Sequence, residues 1–184
     1  MMTSNDPMKI TEALKSGDLV VARTDTIYGI LALASSPSAA NKLYATKHRD
    51  NQKSCIILVS NIQDIPNLFG EHKETYLAML AKRPTTLVVS APDDYLPHLQ
   101  RQDGTLAFRL VRNCELTTII DATGPLLAPS ANPEGLEPAT SVEQAVDYFG
   151  DKIALYVDGG EVTSNIPSKI IAINDDDEIE IIRD

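Results

Sequence analysis

The sequence has few cysteines and histidines, and it has no apolar run approaching the roughly 20 residues that a membrane-spanning helix needs. The two cysteines, Cys55 and Cys114, lie far apart and form no CxxC pair, and the three histidines show no metal-ligand spacing. We therefore expect no disulfide, no structural zinc and no membrane segment. The N-terminal segment also lacks the apolar core of an export signal, which favours a cytoplasmic protein.

Basic side chains are outnumbered in this chain. The 184 residues include 26 acidic and 16 basic side chains, which gives a net charge of −10. A protein that grips a nucleic-acid backbone alone neutralises about 6–10 phosphates with lysine and arginine, so the charge opposes direct binding of DNA or RNA. A local basic pocket for one small polyanion is compatible with it. The acidic run at 175–178 is predicted to be a solvated turn rather than a metal site, because contiguous carboxylates converge poorly on one ion.

Helices are predicted where apolar residues recur at helical spacing. They lie at 8–16, 37–47, about 72–81 and 114–121. Gly17 is a natural terminator for the first of them. A fifth helix follows a capping box, and two registers fit the sequence, Thr140 with Glu143 or Ser141 with Gln144.

Apolar runs of strand length alternate with these helices and continue after the last one. They lie at 18–23, 26–34, 54–59, 86–90, 105–110, 126–130, 153–158, 168–173 and 179–183. The number of strands is high and several neighbours are joined by short turns. This favours a twisted mixed β-sheet with flanking helices over a purely parallel fold. Because the chain shows no repeat, low-complexity tract or linker, we expect a single α/β domain over residues 1–184.

Polar residues cluster in four short segments, called islands here, at positions where a purely structural role would not require them. The first, T-D-T-I-Y-G at 24–29, lies between two predicted strands. Its hydroxyls, carboxylate and glycine suit a small-ligand cradle, since glycine permits close backbone approach. A polar turn built from β-favouring threonines is the alternative, and this segment alone does not decide between them.

The second island, at 47–53, concentrates three cations in an acidic chain. Lys47, Arg49 and Lys53 follow a predicted helix and precede a predicted strand. Three or four lysine and arginine donors can hold the phosphates of ATP, which carries close to four negative charges. A cationic helix C-terminus is the alternative, and it accounts for one or two of the three.

The remaining islands are weaker signals when each is taken alone. P-S-A-N-P-E-G at 129–135 places Ser130 and Asn132 on one face of an extended loop, but these are ordinary loop residues. D-G-G at 158–160 precedes Ser168 at the start of a predicted strand, and a simple turn also explains it.

Taken together, the islands resemble the YrdC family of threonylcarbamoyl-AMP synthases along nearly the whole chain. T-D-T-I-Y-G is similar to that family's opening motif, K-H-R to its K-x-R and P-S-A-N-P-E-G to its S-x-N loop. R-P-T-T-L-V-V, T-L-A-F-R and D-G-G…P-S-K-I-I resemble further blocks in the same order. The resemblance implies a YrdC-like twisted mixed sheet with flanking helices and a large concave cavity.

The resemblance also implies roles for matching positions. Lys47 and Arg49 would be catalytic, with Lys47 lining the same wall as Arg49 and Lys53. The residues implied to bind ATP are Arg49, Lys53, Thr105, Asn132, Thr140 and Arg183. The residues implied to bind threonine are Thr26, Arg109, Ser130 and Ser168. Arg109 suits the threonine carboxylate because a guanidinium can pair with both carboxylate oxygens.

The implied reaction condenses L-threonine, bicarbonate or CO2, and ATP to threonylcarbamoyl-AMP and pyrophosphate. The product would serve the threonylcarbamoyladenosine modification of tRNA, through downstream transferase proteins that meet the tRNA. Mg²⁺ would arrive with the nucleotide. The alternatives are a YrdC-like paralogue that binds RNA or nucleotide without this activity, and a carbamoyl-transfer relative of the hydrogenase-maturation kind.

Five positions depart from the family pattern. Arg23 stands where proline is usual, Asp25 where many members have glutamate, and Lys169 where threonine is usual. Ser54 and Cys55 replace the common proline and leucine. Arg23 either adds a cation to the cavity or points outward, and the sequence leaves both open.

Overall fold

In a computed structural model of the protein, the described residues form ten strands and five α-helices. The structure describes residues 2–50, 53–68, 70–100, 102–112, 114–164, 166–173 and 178–184; the side chains of Glu71 and Cys114 also lie outside the description. The strands are β1 (Met2–Thr3), β2 (Val20–Arg23), β3 (Tyr28–Leu33), β4 (Ile56–Val59), β5 (Thr85–Ser90), β6 (Thr105–Leu110), β7 (Leu126–Leu127), β8 (Leu155–Tyr156), β9 (Lys169–Ile173) and β10 (Ile179–Arg183). The helices are α1 (Pro7–Lys15), α2 (Pro37–Lys47), α3 (Gly70–Leu80), α4 (Cys114–Thr123) and α5 (Val142–Phe149).

The strands form one mixed sheet in the order β1-β8-β2-β3-β7-β4-β6-β5-β9-β10. The pairs β1·β8, β2·β8, β4·β6 and β5·β9 are parallel. The other neighbouring pairs are antiparallel, including the β2–β3 hairpin, in which Arg23 pairs with Tyr28. This confirms the predicted mixed sheet, and it makes residues 24–27 the tip of a tight hairpin.

Helices cover both faces of the sheet. Along β3, Ile30 and Ala32 belong to one buried cluster, whereas Leu31 between them belongs to the other, as strand alternation requires. Helices α1 and α4 cover the Leu31 side with Ile10, Leu14, Leu116, Ile119 and Ile120. Helices α2, α3 and α5 contribute Leu43, Tyr44, Tyr76, Ala145 and Phe149 to the other side. Burial on both faces explains why the strands are near-continuous apolar runs.

Local signals set the helix ends. The Asp6 side chain caps α1 by accepting a hydrogen bond from Met8 N at 2.9 Å, and the helix ends before Gly17, whose φ is 81°. Helix α5 takes the second of its two predicted registers. Ser141 is the N-cap and accepts from Gln144 N at 3.3 Å, while the Gln144 side chain turns back toward residue 140.

Some boundaries differ from the predictions. The strands predicted at 126–130 and 153–158 are reduced to the two-residue β7 and β8, because their remaining residues form loop and turn contacts. Strand β1 was missed, since two residues carry no periodicity. The acidic turn predicted at 175–178 lies outside the described residues except for Glu178.

Cys55 is a free, buried thiol in the larger apolar cluster, as predicted for a small core residue. The side chain of Cys114 lies outside the description. Among the helices in the described ranges, none has both the length and the hydropathy to cross a membrane.

Candidate active site

A cavity of about 280 Å³ collects side chains from six separate parts of the chain. The predicted site residues that line it are Thr26, Arg49, Arg109, Ser130, Ser168 and Arg183. They come from the β2–β3 tip, the segment after α2, strand β6, the loop after β7, and strands β9 and β10 with their approach. The sheet brings these segments together because β3 and β6 both lie in its central part.

Close backbone contact between β3 and the loop after β7 forms one wall. Gly29 pairs with Ser130 in an isolated antiparallel bridge, and Ile30 N donates to Pro129 O at 2.9 Å. A Cβ atom at Gly29 would lie 3.2 Å from Pro129 O and 3.3 Å from Thr24 Cγ2. Gly29 thus allows two segments of the chain's own backbone to approach closely, and its role in a small-ligand cradle stays a prediction.

Thr24 builds the hairpin tip that presents Thr26 to the cavity. Its Oγ1 donates to Ile27 O at 2.8 Å and accepts from Thr26 N at 3.2 Å. The hydroxyls of Thr24 and Thr26 lie 3.1 Å apart. The structure therefore shows the polar turn that was weighed for this segment, with both threonines lining the cavity, and the small-ligand cradle stays a prediction.

Arg109 is a buried cation at the floor of the cavity. It is 3% exposed, and its Nη2 lies 2.9 Å from Asp25 Oδ1 and 3.4 Å from Thr24 Oγ1. The contact with Asp25 is within ion-pair distance, but the N–H is not directed at the oxygen as a hydrogen bond requires. Burial lowers the pKa of Arg109, and the Asp25 carboxylate opposes this shift.

Unsatisfied polar atoms concentrate at this cavity. Among the described residues, the buried side-chain atoms with no hydrogen-bond partner are Asp25 Oδ1, Arg49 Nε, Ser54 Oγ and Arg109 Nε. Arg49, Ser54 and Arg109 line the cavity, and Asp25 is paired with Arg109. Buried polar groups are normally satisfied, so these atoms are available to hydrogen-bond with water or with a ligand that enters the cavity.

Arg49 lies just beyond α2, which ends in a left-handed turn at His48 with φ of 52°. The Arg49 backbone N–H donates to Tyr44 O at 3.0 Å, and its Nη2 donates to Ser54 O at 2.9 Å. These contacts fix the guanidinium at the cavity while Nε stays unpaired. Asn51 and Gln52 of the same island lie outside the described residues.

Lys47, in contrast, is not among the described lining residues of the cavity. It is 2% exposed, and its Nζ donates to Ser130 O and Asn132 O, each at 2.5 Å. Burial lowers its pKa to about 8, and the nearby Arg49 adds to the effect. The side chain therefore fixes the S-x-N loop through its carbonyls, and it reaches the cavity only through that loop.

Lys53 lies in a second cavity, also of about 280 Å³, that adjoins the first. The two cavities share Arg49, Ser54, Cys55, Ile56 and Ile170. The second adds apolar walls from Val88, Leu106, Ala107 and Ile182. The Lys53 ammonium forms an ion pair with Glu134 of the S-x-N loop, so an exposed contact joins the second and third islands.

Three predicted nucleotide residues lie outside the linings of both cavities. Asn132 Nδ2 donates to Leu136 O at 2.6 Å, and its Oδ1 accepts from Ser130 Oγ at 2.5 Å. Thr105 donates its hydroxyl to Asp103 at 2.7 Å. The Thr140 hydroxyl donates to the Gln144 side chain at 3.1 Å. Each holds a loop or a helix end beside the cavities.

Ser168 and Arg183 form the wall contributed by the last two strands. Arg183 Nη2 donates to Ser168 O at 2.7 Å, and the Ser168 hydroxyl lies 2.8 Å from that of Thr86. Burial lowers the pKa of Arg183, and the positive charges of Arg109 and Arg83 contribute as well. The arginines of this wall and of the floor therefore act on each other electrostatically.

Arg23 points away from the cavity. Its Nη1 donates to Gly159 O at 3.0 Å, and a Cβ at Gly159 would lie only 2.5 Å from Arg23 Cβ. Of the two positions left open for this cation, the outward one is observed. Thr24 and Ser54 also line the cavity. The Thr24 hydroxyl was predicted only as part of a small-ligand cradle, and no role was predicted for Ser54. Thr24 stood within a recognised motif, whereas Ser54 carried no signal beyond its place after Lys53.

Comparison with known proteins identifies relatives along most of the chain. Residues 12–184 match the Sua5/YciO/YrdC family model, described as "Telomere recombination". The threonylcarbamoyl-AMP synthase of Bacillus subtilis is 28% identical over 182 residues, covering 95% of this chain and 53% of the relative. That of Acinetobacter baylyi is 27% identical, covering 93% of this chain and 94% of the relative. A putative threonylcarbamoyl-AMP synthase of Mycobacterium tuberculosis is 31% identical, covering 86% of this chain and 75% of the relative.

Solved structures show the same architecture. The Pyrococcus abyssi Sua5 complexed with L-threonine superposes with a TM-score of 0.78 at 28% identity, covering 93% of this chain and 53% of that chain. Escherichia coli YciO superposes with a TM-score of 0.80 at 16% identity, covering 100% of this chain and 93% of that chain, which shows the fold alone. The chain thus spans about half the length of the B. subtilis and P. abyssi relatives.

Proposed function

The chain belongs to the Sua5/YciO/YrdC family, and from this premise we propose that it is a threonylcarbamoyl-AMP synthase. It would condense L-threonine, bicarbonate or CO2, and ATP to threonylcarbamoyl-AMP and pyrophosphate, as a nucleotidyltransferase. The relatives named above carry that activity in their names. The alternative, binding of RNA or nucleotide without synthesis, has less support because a net charge of −10 disfavours a nucleic-acid backbone.

One observation carries the proposal. Three guanidinium groups from distant parts of the chain, Arg49, Arg109 and Arg183, converge on one cavity, and two of them have unpaired Nε donors. Every proposed reactant offers an anionic group: the threonine carboxylate, bicarbonate and the ATP phosphates. Guanidinium groups bind such oxygens with strong, directional hydrogen bonds.

The two cavities suggest separate binding sites for the two larger substrates. We assign threonine to the first, with its carboxylate on Arg109 and its hydroxyl or amine near Thr26, Ser130 and Ser168. We assign ATP to the second, with phosphates between Arg49 and Lys53. The apolar walls at Leu106 and Ile182 have the character that an adenine ring needs, and Thr105, Asn132, Thr140 and Arg183 would complete the nucleotide site. The carbamate would then form where the cavities meet.

The chemistry requires no side-chain nucleophile. The threonine nitrogen, having lost its ammonium proton to solvent, would attack CO2, and loss of a second proton from this nitrogen to solvent would give the carbamate. A carbamate oxygen would then attack the α-phosphorus, and the bond from that phosphorus to the β-phosphate bridging oxygen would break, so that the electron pair leaves with pyrophosphate. The cavity would contribute by holding two anionic reactants together and by neutralising charge as it moves onto the leaving group.

Mg²⁺ would accompany ATP in this proposal. The described residues that line the two cavities include no carboxylate, so oxygens of the nucleotide and water would be its ligands. The ion would supply charge neutralisation at the phosphates.

We further propose that residues 1–184 act as one domain, in the cytoplasm, and that downstream transferase proteins carry the product to tRNA. The domain assignment is supported by the sheet, whose two edge strands, β1 and β10, come from opposite parts of the chain.

The direct test is incubation with ATP, bicarbonate and labelled L-threonine, followed by detection of threonylcarbamoyl-AMP and pyrophosphate. The proposal expects both products, in equal amounts, and neither when threonine is omitted. Lys9→Ala, which removes an exposed cation of α1, is the matched control for the cavity cations and should keep full activity. Pyrophosphate release that ignores threonine would refute the proposal.

A further inference from the structure

Asp25 lies behind the cavity rather than on it. It is absent from the cavity's described lining, yet its Oδ1 is 2.9 Å from Arg109 Nη2, and the side chains of the two residues are 16% and 4% exposed. Asp25 instead lines two other hollows, on the outer side of the β2–β3 tip, which Arg23 shares. Its effect on the cavity must therefore pass through Arg109.

The buried guanidinium needs this carboxylate. Removing a cation from water is unfavourable unless a counter-charge lies close by, and Asp25 is the described carboxylate within ion-pair distance of Arg109. Burial lowers the pKa of Arg109, and Asp25 acts in the opposite direction. Asp25 thus keeps a full positive charge stable at the cavity floor.

The ion pair also fixes which donor faces a ligand. Arg109 Nη2 is held between Asp25 Oδ1 and Thr24 Oγ1, whereas Nε has no hydrogen-bond partner. Thr24 Oγ1 lies 3.1 Å from the Thr26 hydroxyl, so the same hairpin tip sets both Arg109 and Thr26. Asp25 and Thr24 therefore hold the guanidinium of Arg109 through Nη2, and its Nε–H remains available to an anion in the cavity.

We propose that Asp25 is a positioning residue, which aims Arg109 at the carboxylate of the amino-acid substrate and so sets the site's preference for substrates that carry one. This inference rests on the proposed function. It predicts that loss of the Asp25 charge damages recognition of the carboxylate selectively, while the nucleotide cavity, which does not contain Asp25 or Arg109, is unaffected.

The test compares binding of L-threonine with that of L-threoninol, in which CH2OH replaces the carboxylate, by isothermal titration calorimetry. Wild-type protein is expected to prefer threonine strongly. In Asp25→Asn the preference should fall at least tenfold while ATP affinity stays within twofold. Asp25→Glu, which keeps the charge, should retain the preference within about threefold.

Two further variants separate positioning from folding. Thr24→Val removes the hydroxyl near Nη2 together with its hydrogen bonds to Ile27 O and Thr26 N in the hairpin tip, and it should reduce the preference severalfold. In an Arg109→Gln background, Asp25→Asn should cause no further loss of preference, because its effect acts through Arg109.

An unchanged preference in Asp25→Asn, or an equal loss of threonine, threoninol and ATP binding, would overturn the inference. If Asp25→Asn does not fold, the Thr24→Val result decides in the same way. A wild-type protein that binds ATP but shows no preference for threonine would instead refute the proposed function, and the positioning role with it.

Discussion

The titration of Lys47 should move stability and activity in opposite directions. Burial lowers its pKa from the ordinary 10.5 to about 8. The unfolded chain keeps a proton on this amine up to pH 10.5, whereas the folded chain releases it near pH 8. Between these values the unfolded state binds more protons, so the free energy of unfolding rises with pH, while below pH 8 both states are protonated and nothing changes.

The size of the effect follows from the two pKa values. At about 1.4 kcal/mol per pH unit, the gain in unfolding free energy between pH 8 and pH 10.5 is about 3 kcal/mol. Lys47→Met removes the titration but retains an unbranched side chain. It also leaves Ser130 O and Asn132 O without their shared donor, which costs about 1–3 kcal/mol for each carbonyl at any pH. The wild-type-minus-variant difference should therefore increase by about 3 kcal/mol across the window.

Urea unfolding followed by circular dichroism measures this difference, since the chain has no tryptophan for fluorescence. Lys9→Met, at an exposed position of α1, supplies the control for the loss of one lysine. Over the same window kcat/KM should fall, because neutral Lys47 holds the S-x-N loop less strongly. A difference that stays constant with pH, or stability and activity that rise together, would show that Lys47 is not a buried cation supporting the loop.

Three other substitutions test the site and its surroundings. Arg49→Ala should lower kcat/KM for pyrophosphate release at least tenfold, which corresponds to a loss of about 1.4 kcal/mol of transition-state stabilisation. A wild-type kcat/KM in this variant would show that Arg49 does not bind the phosphates. Glu134→Gln frees Lys53 from an exposed ion pair, so the Kd for ATP, measured by calorimetry, should fall. The decrease should not exceed about fivefold, because exposed ion pairs are weak. A higher Kd would contradict this prediction. Gly159→Ala places a Cβ against Arg23 and should cost about 1–3 kcal/mol in a thermal melt, and an unchanged Tm would argue against that packing.

Local chemistry was sufficient to predict most elements of the fold. Gly17 ends α1, Pro37 begins α2, and the Ser141 cap begins α5, because caps and turn residues act within a few positions. The order of strands depends on which apolar faces meet across the whole chain. No local pattern states that β7 lies between β3 and β4, or that β9 pairs with β5.

The candidate site shows the same division between local and long-range information. The motifs selected residues that do line the cavity, such as Thr26 and Ser168, since each motif places a polar group at a strand end. They could not fix the direction of Lys47, whose partners lie more than 80 positions along the chain at Ser130 and Asn132. The pairing of Asp25 with Arg109 was equally hidden, because it joins a hairpin tip to a residue near the C-terminal end of β6.

The placement of positive charge also bears on how the product meets tRNA. Lys47 and Arg109 are 2% and 3% exposed, so the cations with the lowest dielectric around them are closed to the backbone of a large nucleic acid. A small anion that enters the cavity meets Arg109 in an environment where charge interactions are strong, whereas a polynucleotide meets the surface of a chain with net charge −10. Under the proposed function, this charge distribution favours ATP and threonine inside the cavity and disfavours tRNA at the surface. We expect tRNA to be bound by the downstream transferase proteins, with measurable tRNA binding by this chain only at low salt.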